Sequence, residues 1–163
     1  MKTLIVLRHA KSSWETASPD FQRPLAERGV QDAKAAGAIL AEYRIDLLLS
    51  SSAKRARQTW ECAQLGGATA AQAEFSDGIY HAWADELITE LNIVDEAVST
   101  VALIGHQPTL GDLITTLAAP GELVAAVANH YPTAGLAVLT FDGAWRDLGP
   151  SKAALVRFEI PRG

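Results

Sequence analysis

Cysteine is nearly absent from this sequence: Cys62 stands alone among 163 residues. One thiol closes no internal disulfide and supplies no ligand cluster for zinc or an iron–sulfur centre, so a reducing, cytoplasmic setting is expected. Positive charge is also scarce. Fourteen Lys and Arg against nineteen Asp and Glu leave a net charge of -5, which argues against the broad basic face that holds nucleic acid or anionic lipid. Any anion site must be local. Long apolar runs are missing too. The run Leu4 to Leu7 is shorter than the 7 to 15 residues of a signal h-region, and no segment approaches the roughly 18 apolar residues of a membrane span. The expectation is a soluble, unprocessed chain with no membrane partner. No internal repeat, low-complexity tract or linker-like shift in composition interrupts it.

What the sequence has in quantity is apolar side chain. With 48% hydrophobic residues, it is long enough for one buried core and too short for two comfortable domains, so residues 1–163 read as a single domain. "TLIVL" (3–7) is a continuous apolar run suited to a strand covered on both faces. "PLAERGVQDAKAAGAILAEY" (24–43) places apolar residues near 30, 33, 37 and 40, a helical spacing. "IDLLLSS" (45–51) reads as a second buried strand, and "SSAKRARQTWECAQ" (51–64) as a helix whose first turn Ser51 or Ser52 can cap. A weaker strand around "AEF" (73–75) leads through "SDGIYHAW" to a helix near "ADELITELNIV" (84–94). "STVALIGH" (99–106) is a third clear strand, and "PTLGDLITTLA" (108–118) opens with proline in a first helical turn. "GLAVLTF" and "ALVRFEI", joined by "DGAWRDLGPSK", read as an antiparallel edge hairpin. The alternation predicts a three-layer α/β/α sandwich with a mostly parallel central sheet.

In such folds ligands sit beyond the carboxyl ends of the strands. The polar residues that follow the apolar runs gather at those ends: Arg8 and His9 after the first, Ser50 to Arg55 after the second, His106 after "VALIG". Two arginines converging there would form an anion clamp, since guanidinium stays protonated and its donor fork fits phosphate oxygens. Arg55 also falls in a first helical turn, where an anion is favoured. Imidazole is a competent phosphoryl acceptor near neutral pH, so His9 is a candidate nucleophile. His106 is a candidate donor to the transferring oxygens. This chemistry needs no metal and no cofactor, and the four histidines lack the close spacings of a metal site.

"LRHAKS", "SSAKRARQT" and "LIGHQP", in that order, resemble the histidine phosphatase superfamily, which includes phosphoglycerate mutases and phytases. The "LRHAKSSW" opening and the short chain look most like its phosphohistidine phosphatase branch, typified by SixA. The resemblance implies a phosphoglycerate mutase-like fold, with His9 as nucleophile and Arg8, Arg55 and His106 as the other members of the site. Neighbouring Arg57 is then the less favoured ligand. Most members carry glycine after the nucleophile, where this chain has Ala10. Other branches supply a carboxylic general acid in the region "SDGIYHAWADE", where this chain aligns His81, with Asp77, Asp85 and Glu86 nearby.

That difference bears on substrate. An alkoxide leaving group needs a positioned acid, an effect worth about 10² to 10⁴ in rate, whereas imidazole, with a ring pKa near 6.5, needs little help. The expected activity is metal-independent phosphatase action through a phospho-His9 intermediate, with protein phosphohistidine as substrate and His81 as a possible acid. The alternatives are hydrolysis of small O-phosphomonoesters, mutase-like transfer, or a non-catalytic phospho-ligand module. Ser12 is a candidate phosphate contact or a turn former. Trp14 reads as a packing or mouth residue, His130 as part of a turn, Lys54 and Arg57 as a solvated helix face, and Cys62 as core. Arg23 is left undecided between orienting its loop and no special role. A monomer is plausible, and the partner is a phosphohistidine-bearing protein or a small phosphorylated substrate.

Overall fold

The protein is described by a computed structural model covering residues 1–163. Six strands form one sheet: β1 (Lys2–Arg8), β2 (Ile45–Ser51), β3 (Ala70–Ser76), β4 (Thr100–Gly105), β5 (Leu136–Phe141) and β6 (Ala154–Glu159). Their order is β3-β2-β4-β1-β5-β6. The first four are mutually parallel, and β5 and β6 add an antiparallel pair on the β1 side. The expected mixed sheet and edge hairpin are both present.

Six helices cover the sheet: α1 (Glu27–Leu40), α2 (Lys54–Leu65), α3 (Asp77–His81), α4 (Ala84–Asn92), α5 (Thr109–Leu117) and α6 (Glu122–Asn129). Alternation along β1 divides the core in two, because successive side chains point to opposite faces. Ile5 and Leu7 pack with Ala36 and Leu40 of α1 and Trp60 of α2, while Leu4 and Val6 pack with Leu91 of α4, Leu113 of α5 and Val127 of α6. Both faces are therefore roofed, which makes three layers. Helices α1 and α2 touch closely through Gly37, where a Cβ would come within 2.0 Å of the Ala63 carbonyl oxygen. This contact seats α2, and with it Arg55.

Several expectations need correction. The strand expected only around 73–75 runs from Ala70 to Ser76 because it pairs in parallel with β2. Its exposed residues give it no apolar run to recognise. The passage "SDGIYHAW" contains the short helix α3, capped by the Ser76 hydroxyl on the Gly78 N–H. Helix α6 lies in a stretch assigned no element. Neither Ser51 nor Ser52 caps α2: the cap position is Ala53, without a side-chain bond, and both hydroxyls are engaged elsewhere. Pro108 occupies the cap position of α5 rather than its first turn.

Candidate active site

Strands β1 and β4 pair with Arg8 opposite Gly105, so the next residues, His9 and His106, emerge side by side at the sheet's carboxyl end. Their ring centroids are 5.0 Å apart. Neighbouring β2 ends in Ser51, whose Oγ is 2.8 Å from His106 Nε2, and α2 starts immediately afterwards with Arg55 as its second residue. A cavity of about 240 Å³ results, lined by Arg8, His9, Lys11, Ser12, Trp14, Arg23, Arg55, His106, Gln107 and Thr133. The four residues that carry the resemblance thus stand in one wall-to-wall cluster, and Ser12 joins them.

The "RQT" end of the second motif explains how the pocket is held. Thr59 Oγ1 accepts the Ala10 N–H at 2.9 Å and donates to the Arg55 carbonyl at 2.7 Å. One hydroxyl therefore ties the loop after β1 to the turn that presents Arg55. Gln58 Oε1 accepts the Leu25 N–H at 2.7 Å. Beneath the loop, Gly29 of α1 lies so near Lys11 that a Cβ would sit 2.1 Å from its carbonyl oxygen. Ala10 has no positive φ, so the position does not call for glycine. The residue is fully buried against Ala33 and Ala134.

His9 is only 7% exposed. Its Nδ1 is 2.8 Å from the Ala10 carbonyl. A carbonyl only accepts, so the ring proton lies on Nδ1 and the Nε2 lone pair is free. Burial, reinforced by His106 and then by Arg55 and Arg8, lowers the His9 pKa to about 3. Burial, with Arg55 and Arg8, lowers that of His106 to about 4. Both rings are neutral at pH 7. Burial also lowers the pKa of Arg8, whose NH1 donates to the Tyr131 carbonyl at 3.2 Å. Its Nε and His106 Nδ1 are buried without partners. Buried polar groups of that kind are uncommon, and both here belong to cavity-lining residues.

Three contributors were missed or left open by sequence reasoning. Asp20, on a 3-10 turn (Asp20–Gln22), accepts from Arg55 NH2 at 3.1 Å, from Arg23 NH1 at 3.0 Å and from the Tyr80 hydroxyl at 2.5 Å. The Tyr80 hydrogen bond, with those of Arg55 and Arg23, lowers its pKa to about 2. Arg23, left undecided from sequence, is buried in the wall and donates to Ser12 Oγ, with its guanidinium over the Trp14 ring. Tyr80 sets its ring 5.4 Å from that of His106. Only the spacing of "PDFQRP" after the first motif could have hinted at the Asp20–Arg23 pair.

The candidate acids lie elsewhere. His81 is exposed, its ring 4.7 Å from that of Tyr80. Asp77 accepts from Ser52, Asp85 from the Glu86 N–H, and Glu86 from the Trp83 N–H. None of the four lines the cavity. His130 is exposed. No three His, Cys, Asp or Glu side chains group to hold a metal ion, and no helix is long and apolar enough to cross a membrane.

The family model described as "Histidine phosphatase superfamily (branch 1)" matches residues 4–92, a span that contains Arg8, His9 and Arg55. The chain belongs to the histidine phosphatase superfamily. An uncharacterised protein of Mycobacterium tuberculosis is 40% identical over 162 residues, covering 96% of this chain and all of its own length. The structure of a protein of Nakamurella multipartitia, provisionally named phosphohistidine phosphatase SixA, superposes with a TM-score of 0.88 at 32% identity, covering 99% of this chain and 97% of its own. A protein of Agrobacterium tumefaciens with the same provisional name gives a TM-score of 0.79 at 32% identity, with 97% of both chains covered. As a superfamily member, the chain has the SixA fold expected from its motifs.

Proposed function

We propose that this protein is a metal-independent phosphatase that works through a covalent phospho-His9 intermediate and acts on phosphohistidine in proteins. In the first step His9 Nε2 attacks phosphorus and the bond from phosphorus to the substrate nitrogen breaks; its electron pair passes to the ring, and imidazole, already protonated on its distal nitrogen, leaves neutral. In the second step water attacks the phosphorus on His9, releasing orthophosphate and restoring the neutral ring. Arg8 and Arg55 hold the phosphoryl oxygens, Arg23 and Ser12 complete the wall, and His106 supports the charge that develops during transfer. The positive charge needed by the transferring group comes from guanidinium groups. The fold likeness to proteins provisionally named phosphohistidine phosphatases supports the substrate assignment.

The observation that carries this reading is the state of the carboxylates. Asp77, Asp85 and Glu86 are turned to helix ends or a serine, and Asp20, the one carboxylate bonded to the site's arginines, is ionised with a pKa of about 2. It has no proton to give at neutral pH. A site without an acid suits a leaving group that is a weak base, and imidazole is one. Phosphate release should be followed from an N-phosphohistidine protein and a panel of O-phosphomonoesters, with a chelator present. Preference for phosphohistidine and loss of turnover in His9→Ala are expected. Cleavage of O-esters alone would overturn the substrate reading, and undiminished turnover in His9→Ala would overturn the covalent mechanism.

A further inference from the structure

We propose that Asp20 sorts substrates by charge: its carboxylate disfavours phosphate compounds with a second anionic group and favours a leaving group with a partly positive N–H, as in imidazole. This rests on the phosphatase reading above and narrows its substrate class.

The geometry fixes the carboxylate firmly. Oδ1 receives Arg23, Oδ2 receives both Arg55 and Tyr80, and the Asp20 carbonyl accepts a further Arg55 N–H at 2.7 Å. A carboxylate bonded to the end of its own turn, to α2 and to α3 is held in place as substrate enters. Its side chain is nevertheless 52% exposed, whereas those of Arg23 and Arg55 are 8% exposed. A negative charge bonded to two arginines of the cavity wall is therefore open to solvent.

Charge counting gives the consequence. Arg8, Lys11, Arg23 and Arg55 contribute four positive charges and Asp20, bonded to two of them, removes one, which leaves three (4 − 1 = 3). A dianionic phosphoryl group neutralises two of the three. Of these cations, Lys11 also lines the neighbouring cleft. A carboxylate or second phosphate held beside the phosphoryl group on the Asp20 side meets a like charge, and repulsion of that kind is an effective way to reject a wrong ligand. The distal N–H of a phosphorylated imidazole meets an acceptor instead. Asp20 forms no bond in the transfer and takes no proton.

The experiment uses Asp20→Asn, which keeps an acceptor oxygen for Arg55 and removes the charge. The kcat/KM for 3-phosphoglycerate divided by that for a phosphohistidine peptide should rise about ten-fold in the variant. The affinity for 2-phosphoglycolate relative to orthophosphate, measured by calorimetry without turnover, should rise in the same direction. Equal scaling of all substrates with an unchanged affinity ratio would make Asp20 only a brace for Arg55 and overturn the proposal. If the wild type hydrolyses nothing while the affinity ratio shifts, charge sorting stands and the phosphatase reading falls. If hydrolysis proceeds and both ratios stay flat, charge sorting alone falls.

Discussion

The Ser51 hydroxyl joins three parts of the site: it lies 2.8 Å from His106 Nε2, accepts the Ala53 N–H at 3.1 Å and belongs to the last residue of β2. It is the only hydrogen-bond partner of the His106 ring. Ser51→Ala should leave the ring free to turn and lower kcat by roughly 10- to 100-fold, the scale of a small misplacement of a reacting group. Orthophosphate affinity should change less, because the arginines are untouched. Steady-state kinetics beside calorimetry separates the two effects.

Thr59 is a second such tie. Thr59→Val keeps the shape and deletes the hydroxyl, leaving the buried Ala10 N–H without its acceptor. A loss of about 1–3 kcal/mol in unfolding free energy is expected, measured by urea denaturation. Activity should fall as well, since the same hydroxyl bonds the Arg55 carbonyl.

Gly29→Ala tests the packing beneath the nucleophile loop. The added methyl would overlap the Lys11 carbonyl, and neither backbone can give way cheaply. Overpacking of this type costs about 1–3 kcal/mol. The expected signature is a lower thermal midpoint together with weaker phosphate binding, because Lys11 and Ser12 both line the cavity.

The two histidines set the response to acid. With pKa values of about 3 for His9 and about 4 for His106, against about 6.5 in an unfolded chain, the unfolded state binds more protons between these limits. Stability should therefore fall as pH drops from about 6.5 toward 4. Asp20, with its pKa of about 2, adds to that loss only below about pH 4. Proton NMR of the imidazole C–H signals should show two of the four histidines still neutral at pH 5. Adding orthophosphate should raise both values by placing an anion against them.

His81→Ala should leave kcat nearly unchanged for phosphohistidine, far from the 10² to 10⁴ effect of losing a general acid. The His81 side chain is outside the cavity lining. A loss of 100-fold or more would return His81 to the position of acid.

The sheet was legible because β1, β2 and β4 carry uninterrupted apolar runs, which parallel strands roofed on both faces require. β3 was legible only in part, since an edge strand needs no such run. Arg8, His9, Arg55 and His106 could be placed together because each lies at or just beyond a strand end, where the topology itself assembles a site. Asp20 and Tyr80 could not. They meet Arg55 across 35 and 25 residues of chain through a short 3-10 turn and a single helical turn, and neither element has a periodicity that a sequence displays. Thr59 and Gln58 were visible as letters of a motif, while their work in tying loops to α2 depends on contacts between elements.

His9 and His106 each stand one residue beyond a paired position of adjacent, hydrogen-bonded strands. Neighbouring strands lie about 4.8 Å apart, and the ring centroids are 5.0 Å apart. The backbone acts as a ruler, so the spacing of the histidine pair is inherited from the peptide ladder rather than tuned by side-chain packing. Inserting one residue within β4 would preserve every functional group in the chain and still dismantle the pair, because alternation would carry His106 to the opposite face of the sheet.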